Sequence, residues 1–134
     1  MGQSPLVSDE IDAWAKFLSR LDQTGRLPVA AAFWLKKDED SLWYLYVASE
    51  KIDGNSILEG YGEVLRVAGE MHGDPNIDPL RVKLIGVDHP LAKGVIELQS
   101  RYSPGISFRF HGYELGGRGV EDAYIYGLPI PVSS

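Results

Sequence analysis

The sequence predicts one α+β domain spanning residues 1–134, with elements in the order α-β-β-α-β-α-β-β and a mixed five-stranded sheet carrying three helices. Three observations point there. Within residues 29–49, two runs rich in aromatic and branched side chains flank the polar stretch Lys37-Asp38-Glu39-Asp40-Ser41, which is the pattern of a β-hairpin. Apolar residues recur at helical spacing in three other stretches, each closed by glycine or proline. Near the end, Ile106, Phe108 and Phe110 alternate with Ser107, Arg109 and His111, the period of a strand with one covered and one open face.

Residues 1–7 are expected to form a loose N-terminal segment. Ser8-Asp9-Glu10 then suits a helix start, because a hydroxyl can cap free amides and acids complement the positive end of the helix dipole. Ile11, Trp14, Ala15, Leu18 and Leu21 make its apolar stripe, and Gly25 is the expected stop. In the hairpin, Trp43, Leu45 and Val47 alternate with Tyr44, Tyr46 and Ala48, while Ala31, Phe33 and Leu35 alternate with Ala30, Ala32 and Trp34. Neither face is polar, so both are expected to meet other protein. Asp38-Glu39-Asp40 reads as a solvated tip.

Asp53-Gly54-Asn55-Ser56 carries turn and cap chemistry ahead of a second helix through Ile57, Tyr61, Val64, Leu65 and Ala68, which ends by Gly73. Gly62 and Gly69 lie seven residues apart, on a face shared with Leu58, Leu65 and His72, and are expected to let the helix pack closely on the sheet. Residues 74–79 hold two prolines among acidic turn formers and form a surface loop. Val82 to Val87 reads as an inner strand. Asp88-His89-Pro90 starts a third helix along Leu91, Val95, Leu98 and Tyr102, closed by Ser103-Pro104-Gly105. A glycine-rich connection, Gly112 to Gly119, leads to a last strand within Val120 to Leu128, and residues 129–134 form an extended tail.

The pieces AAAFWL, WYLYVAS and GVEDAYIY together resemble a group of short bacterial proteins of unassigned function. In that group a tryptophan-bearing hairpin precedes an alternating helix-strand core and a closing Asp-Ala-Tyr-Ile-Tyr strand. The resemblance covers the chain from about Val29 onward. It implies no activity, cofactor or catalytic residue, so function must be argued from the residues.

With 134 residues, one core can be built without metals or disulfides, and with no cysteine there is neither a thiol nucleophile nor a thiol ligand. The net charge of -6 and pI of about 5.0, with scattered basic residues, disfavour nucleic acid as a partner. No apolar run reaches the roughly 18 residues of a membrane span, and the first residues lack the form of a secretory signal, so a cytoplasmic protein is expected. His72, His89 and His111 are too dispersed for a metal site, no cofactor motif is present, and Asp88-His89 reads as a helix cap. Leu115-Gly116-Gly117-Arg118-Gly119 lacks the lysine and hydroxyl of a phosphate loop.

Two functional classes remain. The first is a non-enzymatic module that associates with itself or with another protein. It rests on the aromatic wealth of Trp34, Trp43, Tyr44, Tyr46, Tyr124 and Tyr126, since aromatic residues are enriched at interfaces. The second is a small-molecule binding domain or hydrolase. There Arg109, His111, Glu114 and Arg118 would be ligand-binding residues, an anion clamp and a titratable imidazole sharing one strand face near Glu121 and Asp122, with the glycine-rich connection as a lid.

Overall fold

The computed structural model describes residues 8–36, 43–71, 73–74, 77–102, 105–115 and 118–128, and between 110 and 121 the backbone path alone. Its elements are α1 (Ser8–Gln23), β1 (Ala31–Lys36), β2 (Trp43–Ser49), α2 (Ile57–Glu70), a 3₁₀ turn (Pro79–Arg81), β3 (Val82–Gly86), α3 (Pro90–Gln99), β4 (Phe108–Leu115) and β5 (Arg118–Ile125). The order and the α+β class agree with the sequence reading. The acidic tip Asp38-Glu39-Asp40 lies outside the described residues, as do residues 1–7 and 129–134.

Strand order across the sheet is β3-β2-β1-β5-β4, so the first hairpin strand becomes its centre. β1 pairs antiparallel with β2 and β5, β4 pairs antiparallel with β5, and β2 runs parallel to β3. It follows that β2, β3 and β5 all point one way.

Both hairpin faces are covered, as their lack of polar alternation requires. On one side Ala32, Trp34, Trp43, Leu45 and Val47 pack against Trp14, Phe17, Leu18 and Leu21 of α1 and Val64 and Val67 of α2. On the other, Ala31, Phe33, Leu35, Tyr46 and Ala48 join Ala123 and Ile125 of β5 over Leu91, Ala92 and Val95 of α3. Each large side chain removed from water here contributes about 1.5–3 kcal/mol. Rings then interlock in specific ways: Trp14 stands edge-on to Trp34 with centroids 5.7 Å apart, and Phe33 stacks on Tyr46 at 5.6 Å.

Local signals set the element ends. Gly25 adopts φ +74°, which ends α1 where a side chain would be strained. Asp53 Oδ1 accepts from the Asn55 and Ser56 amides at 2.8 and 3.0 Å, closing the turn before α2. His89 Nδ1 accepts from the Leu91 amide at 3.1 Å with Pro90 in the first helical turn, the expected cap of α3.

Three expectations are corrected. Val82–Gly86 is an edge strand, not an inner one: its outward Leu84 amide donates to the Tyr61 hydroxyl of α2 at 3.1 Å, which blocks part of the open edge. The Gly112 to Gly119 connection is mostly strand, since Tyr113 faces Val120, Glu114 faces Gly119 and Leu115 faces Arg118. The glycine that brings α2 onto the sheet is Gly60, where a Cβ would meet Ile52 Cδ1 at 2.6 Å and Leu84 Cδ1 at 2.9 Å. A Cβ on Gly62 or Gly69 would meet nothing within 4 Å. Their neighbours Leu58 and Leu65 are 82% and 58% exposed, because Gly60, Val64 and Val67 take the sheet-facing side about half a turn away.

α1 and α2 are tied by a chain of charges. Arg66 reaches Glu63 at 2.6 Å and Glu70 at 2.7 Å, and Arg20 of α1 reaches Glu70 at 3.3 Å. Glu63 is nearly buried, and its hydrogen bond from Arg66 holds its carboxyl below the ordinary 4.5. A lowered folded value means a contribution present above pH 4.5 and lost as pH falls toward the folded value. Urea unfolding followed from neutral to acid pH is expected to show a shallower acid decline in Glu63→Gln than in the parent. In the same assay Gly69→Ala, free of any steric conflict, is expected to raise stability by about 0.5–1 kcal/mol.

Candidate functional site

Of the residues singled out on the last hairpin, Arg109 has a described side chain, and it is engaged. Its guanidinium pairs with Asp122 on the adjacent strand, Nη2 to Oδ2 at 3.2 Å and Nε to Oδ1 at 3.4 Å, and lies 5.4 Å from the centroid of the Trp43 ring. Arg109 is opposite Tyr124 and Asp122 is opposite His111, so this is a diagonal cross-strand pair. A clamp for an external anion would first have to give up that internal carboxylate. The backbone register places His111, Glu114 and Arg118 along the same pair of strands, and their side chains lie outside the described residues.

The aromatic residues behind the interaction reading are mostly core. Trp34, Trp43, Tyr46 and Tyr126 are buried, and Tyr44 and Tyr124 partly so. Trp34 and Tyr126 are directly joined. The Trp34 indole N–H donates to the Tyr126 hydroxyl at 3.0 Å, and that hydroxyl donates to the Ile11 carbonyl of α1 at 2.9 Å. Arg81 covers the ring's open side, its guanidinium 4.8 Å from the Trp34 centroid while paired with Glu10 at 2.7 Å. Burial pushes the Tyr126 phenol up from its ordinary 10.0.

Among the described residues, large apolar side chains that remain exposed fall into two places. Leu58 and Leu65 stand on the outer face of α2, and Leu80, 83% exposed, stands on the 3₁₀ turn that packs against that helix. Ile96, Tyr102 and Ile106 instead line a cleft of about 700 Å³. This cleft lies beyond the ends of β2, β3 and β5: Glu50 follows the first, Val87 the second, and Gly127 and Leu128 the third. Its remaining wall comes from the end of α3, with Gln99 and Ser100, and from the approach to β4, with Phe108.

Backbone contacts hold that wall in place. The Gly105 amide donates to the Leu128 carbonyl at 2.8 Å, and the Gly127 amide donates to Ser107 Oγ at 2.8 Å. The two segments lie so close that a Cβ on Gly127 would be 2.4 Å from the Gly105 carbonyl carbon. Gly105 itself adopts φ +83°. Sequence reading placed Gly105 at the close of the third helix and Gly127 where the last strand runs into the tail, and missed that they shape a cavity, because their contact joins segments about twenty residues apart.

A smaller cavity, about 500 Å³, lies between α2 and the turn after β2, with Arg26, Lys51, Glu59 and Glu63 among its lining residues. Among the described residues, no group of three or more histidine or acidic side chains could hold a metal ion, and no helix is long and apolar enough to cross a membrane. The shifted carboxyl and phenol groups, Asp53, Glu63 and Tyr126, owe their shifts to local hydrogen bonds or burial, and none of them lines the larger cleft. No family model, no curated protein and no solved structure matches the chain.

Tyr126→Phe removes the partner of the buried Trp34 indole and of the partly buried Ile11 carbonyl, and is expected to cost about 1–3 kcal/mol in urea unfolding at neutral pH. A raised folded value means the phenol's contribution is complete below pH 10.0 and falls as pH rises through and beyond it. The parent is therefore expected to lose stability more steeply than Tyr126→Phe above that pH.

Proposed function

We propose that the protein is a non-catalytic interaction module that self-associates through the outer face of α2. The observation that carries this is the exposure of Leu58 and Leu65, 82% and 58%, on either side of a glycine with open space above it. Water contact over such side chains is a cost that association removes. Gly62 lies between them and has no neighbour within 4 Å of where a Cβ would project. A two-fold axis crossing α2 near Gly62 would bring Leu58 of one copy against Leu65 of the other, the self-complementary geometry of an isologous contact. Leu80 widens the patch on the side of β3.

Tyr61 and the exposed Lys83 oppose the other route to self-association, edge-to-edge pairing of β3, since one fills an outward hydrogen-bonding position and the other sets like charges together. The helix face is also small beside the ~800 Å² per partner of a standard interface, which supports a weak, reversible contact. The absence of cysteine supports a reducing, cytoplasmic setting. The other functional class, a small-molecule site, finds its support in the cleft at the end of the sheet rather than at Arg109.

Sedimentation velocity over a concentration series reaching about 100 μM, near −5.5 kcal/mol of association free energy, is expected to show a monomer-dimer equilibrium. Leu58→Glu combined with Leu65→Glu should leave a folded monomer. Gly62→Ala should stabilise the isolated fold yet weaken the dimer. A parent chain that stays monomeric throughout the series would remove the reading.

A further inference from the structure

We infer that the cleft beyond the carboxyl ends of β2, β3 and β5 is a binding site for a hydrophobic monocation, an amine carried on an aromatic or short aliphatic body. Nothing in this depends on the face of α2, which belongs to a different part of the molecule.

Position comes first. In open sheets with parallel strands, ligands gather in the crevice past the strands' carboxyl ends, where loops diverge and leave space. Three like-directed strands end at this cleft, and its volume of about 700 Å³ suits a small organic molecule. Ile96, Tyr102 and Ile106, exposed by 37%, 50% and 47%, all turn part of their apolar surface to it. An apolar ligand body seated there would cover surface the fold leaves wet.

Charge narrows the ligand. Among the described residues that line the cleft Glu50 is the one that carries a charge, and it has no ion-pair partner among the described residues. Gln99 is held by its Nε2 donating to the Tyr126 carbonyl at 2.7 Å, which leaves its side-chain oxygen as a further acceptor. Tyr102 and Phe108 form an aromatic pair with centroids 4.8 Å apart, and both line the cavity. A carboxylate, a carbonyl oxygen and π faces all favour a positive group, and the same carboxylate repels an anion of equal shape.

The test is a ¹⁵N–¹H correlation titration of the full chain with three probes of matched shape: cationic 3-phenylpropan-1-amine, neutral 3-phenylpropan-1-ol and anionic 3-phenylpropanoate. The amine is expected to shift the Ser100, Gly105, Ile106 and Gly127 amides and to bind about fivefold more tightly than the alcohol, the worth of one partly screened charge contact, with the propanoate weakest. Glu50→Gln, at an exposed position, should bring the amine to the affinity of the alcohol while leaving the alcohol unchanged. Shifts absent from the cleft, an amine that binds no more tightly than the alcohol, or an affinity order that survives Glu50→Gln would each overturn the assignment.

Discussion

The hydrogen bond from the Trp34 indole to the Tyr126 hydroxyl, and onward to the Ile11 carbonyl, joins the central strand, the end of the last strand and the first helix in one short relay. An indole N–H and a phenol taken out of water each need a partner, and this arrangement serves both while the rings contribute apolar burial. α1 is thereby held over β1 and the exit of β5. Trp14 fills the space against Trp34, and Arg81 closes the side that the helix leaves open. With α1 so placed, α2 takes the half of the sheet toward β3, and the Glu63, Arg66 and Glu70 carboxylate-guanidinium chain links the two helices.

The sheet order sets where apolar surface is left over. β3 and β4 occupy opposite edges, so the chain must travel from one edge to the other, and α3 covers the sheet's second face on the way. One helix on that side covers the middle and leaves the end open, which creates the cleft between Glu50, Val87 and Gly127. On the first side two helices cover the core, and the excess appears on the outside of α2. Exposed leucines and the cleft are thus two consequences of three helices covering five strands.

Arg109 is neutralised by Asp122 and spread over Trp43, on the face of the sheet that carries α1 and α2, whereas the cleft opens toward α3. A strand face with arginine and histidine in alternation promises an anion site only if its cation has no internal partner. Here a diagonal neighbour two residues along the facing strand supplies one.

Alternation and helical spacing are local properties, and what they imply was legible from the residues alone: the hairpin with two covered faces, the stripe of α1, the stop at Gly25, the His89-Pro90 start of α3 and the eight-element order. Strand order, the edge position of β3, the pairing of β4 with β5 out to Leu115 and Arg118 and the Asp122 partner of Arg109 were not legible, since each depends on which distant strand arrives alongside. α2 illustrates the divide. Its sequence holds two competing stripes, one through Tyr61 and Val64 and one through Leu58 and Leu65, and spacing alone cannot rank them. Contact with Ile52 and Leu84 at Gly60 ranked them, because a helix turns toward the sheet the face on which its backbone can come closest.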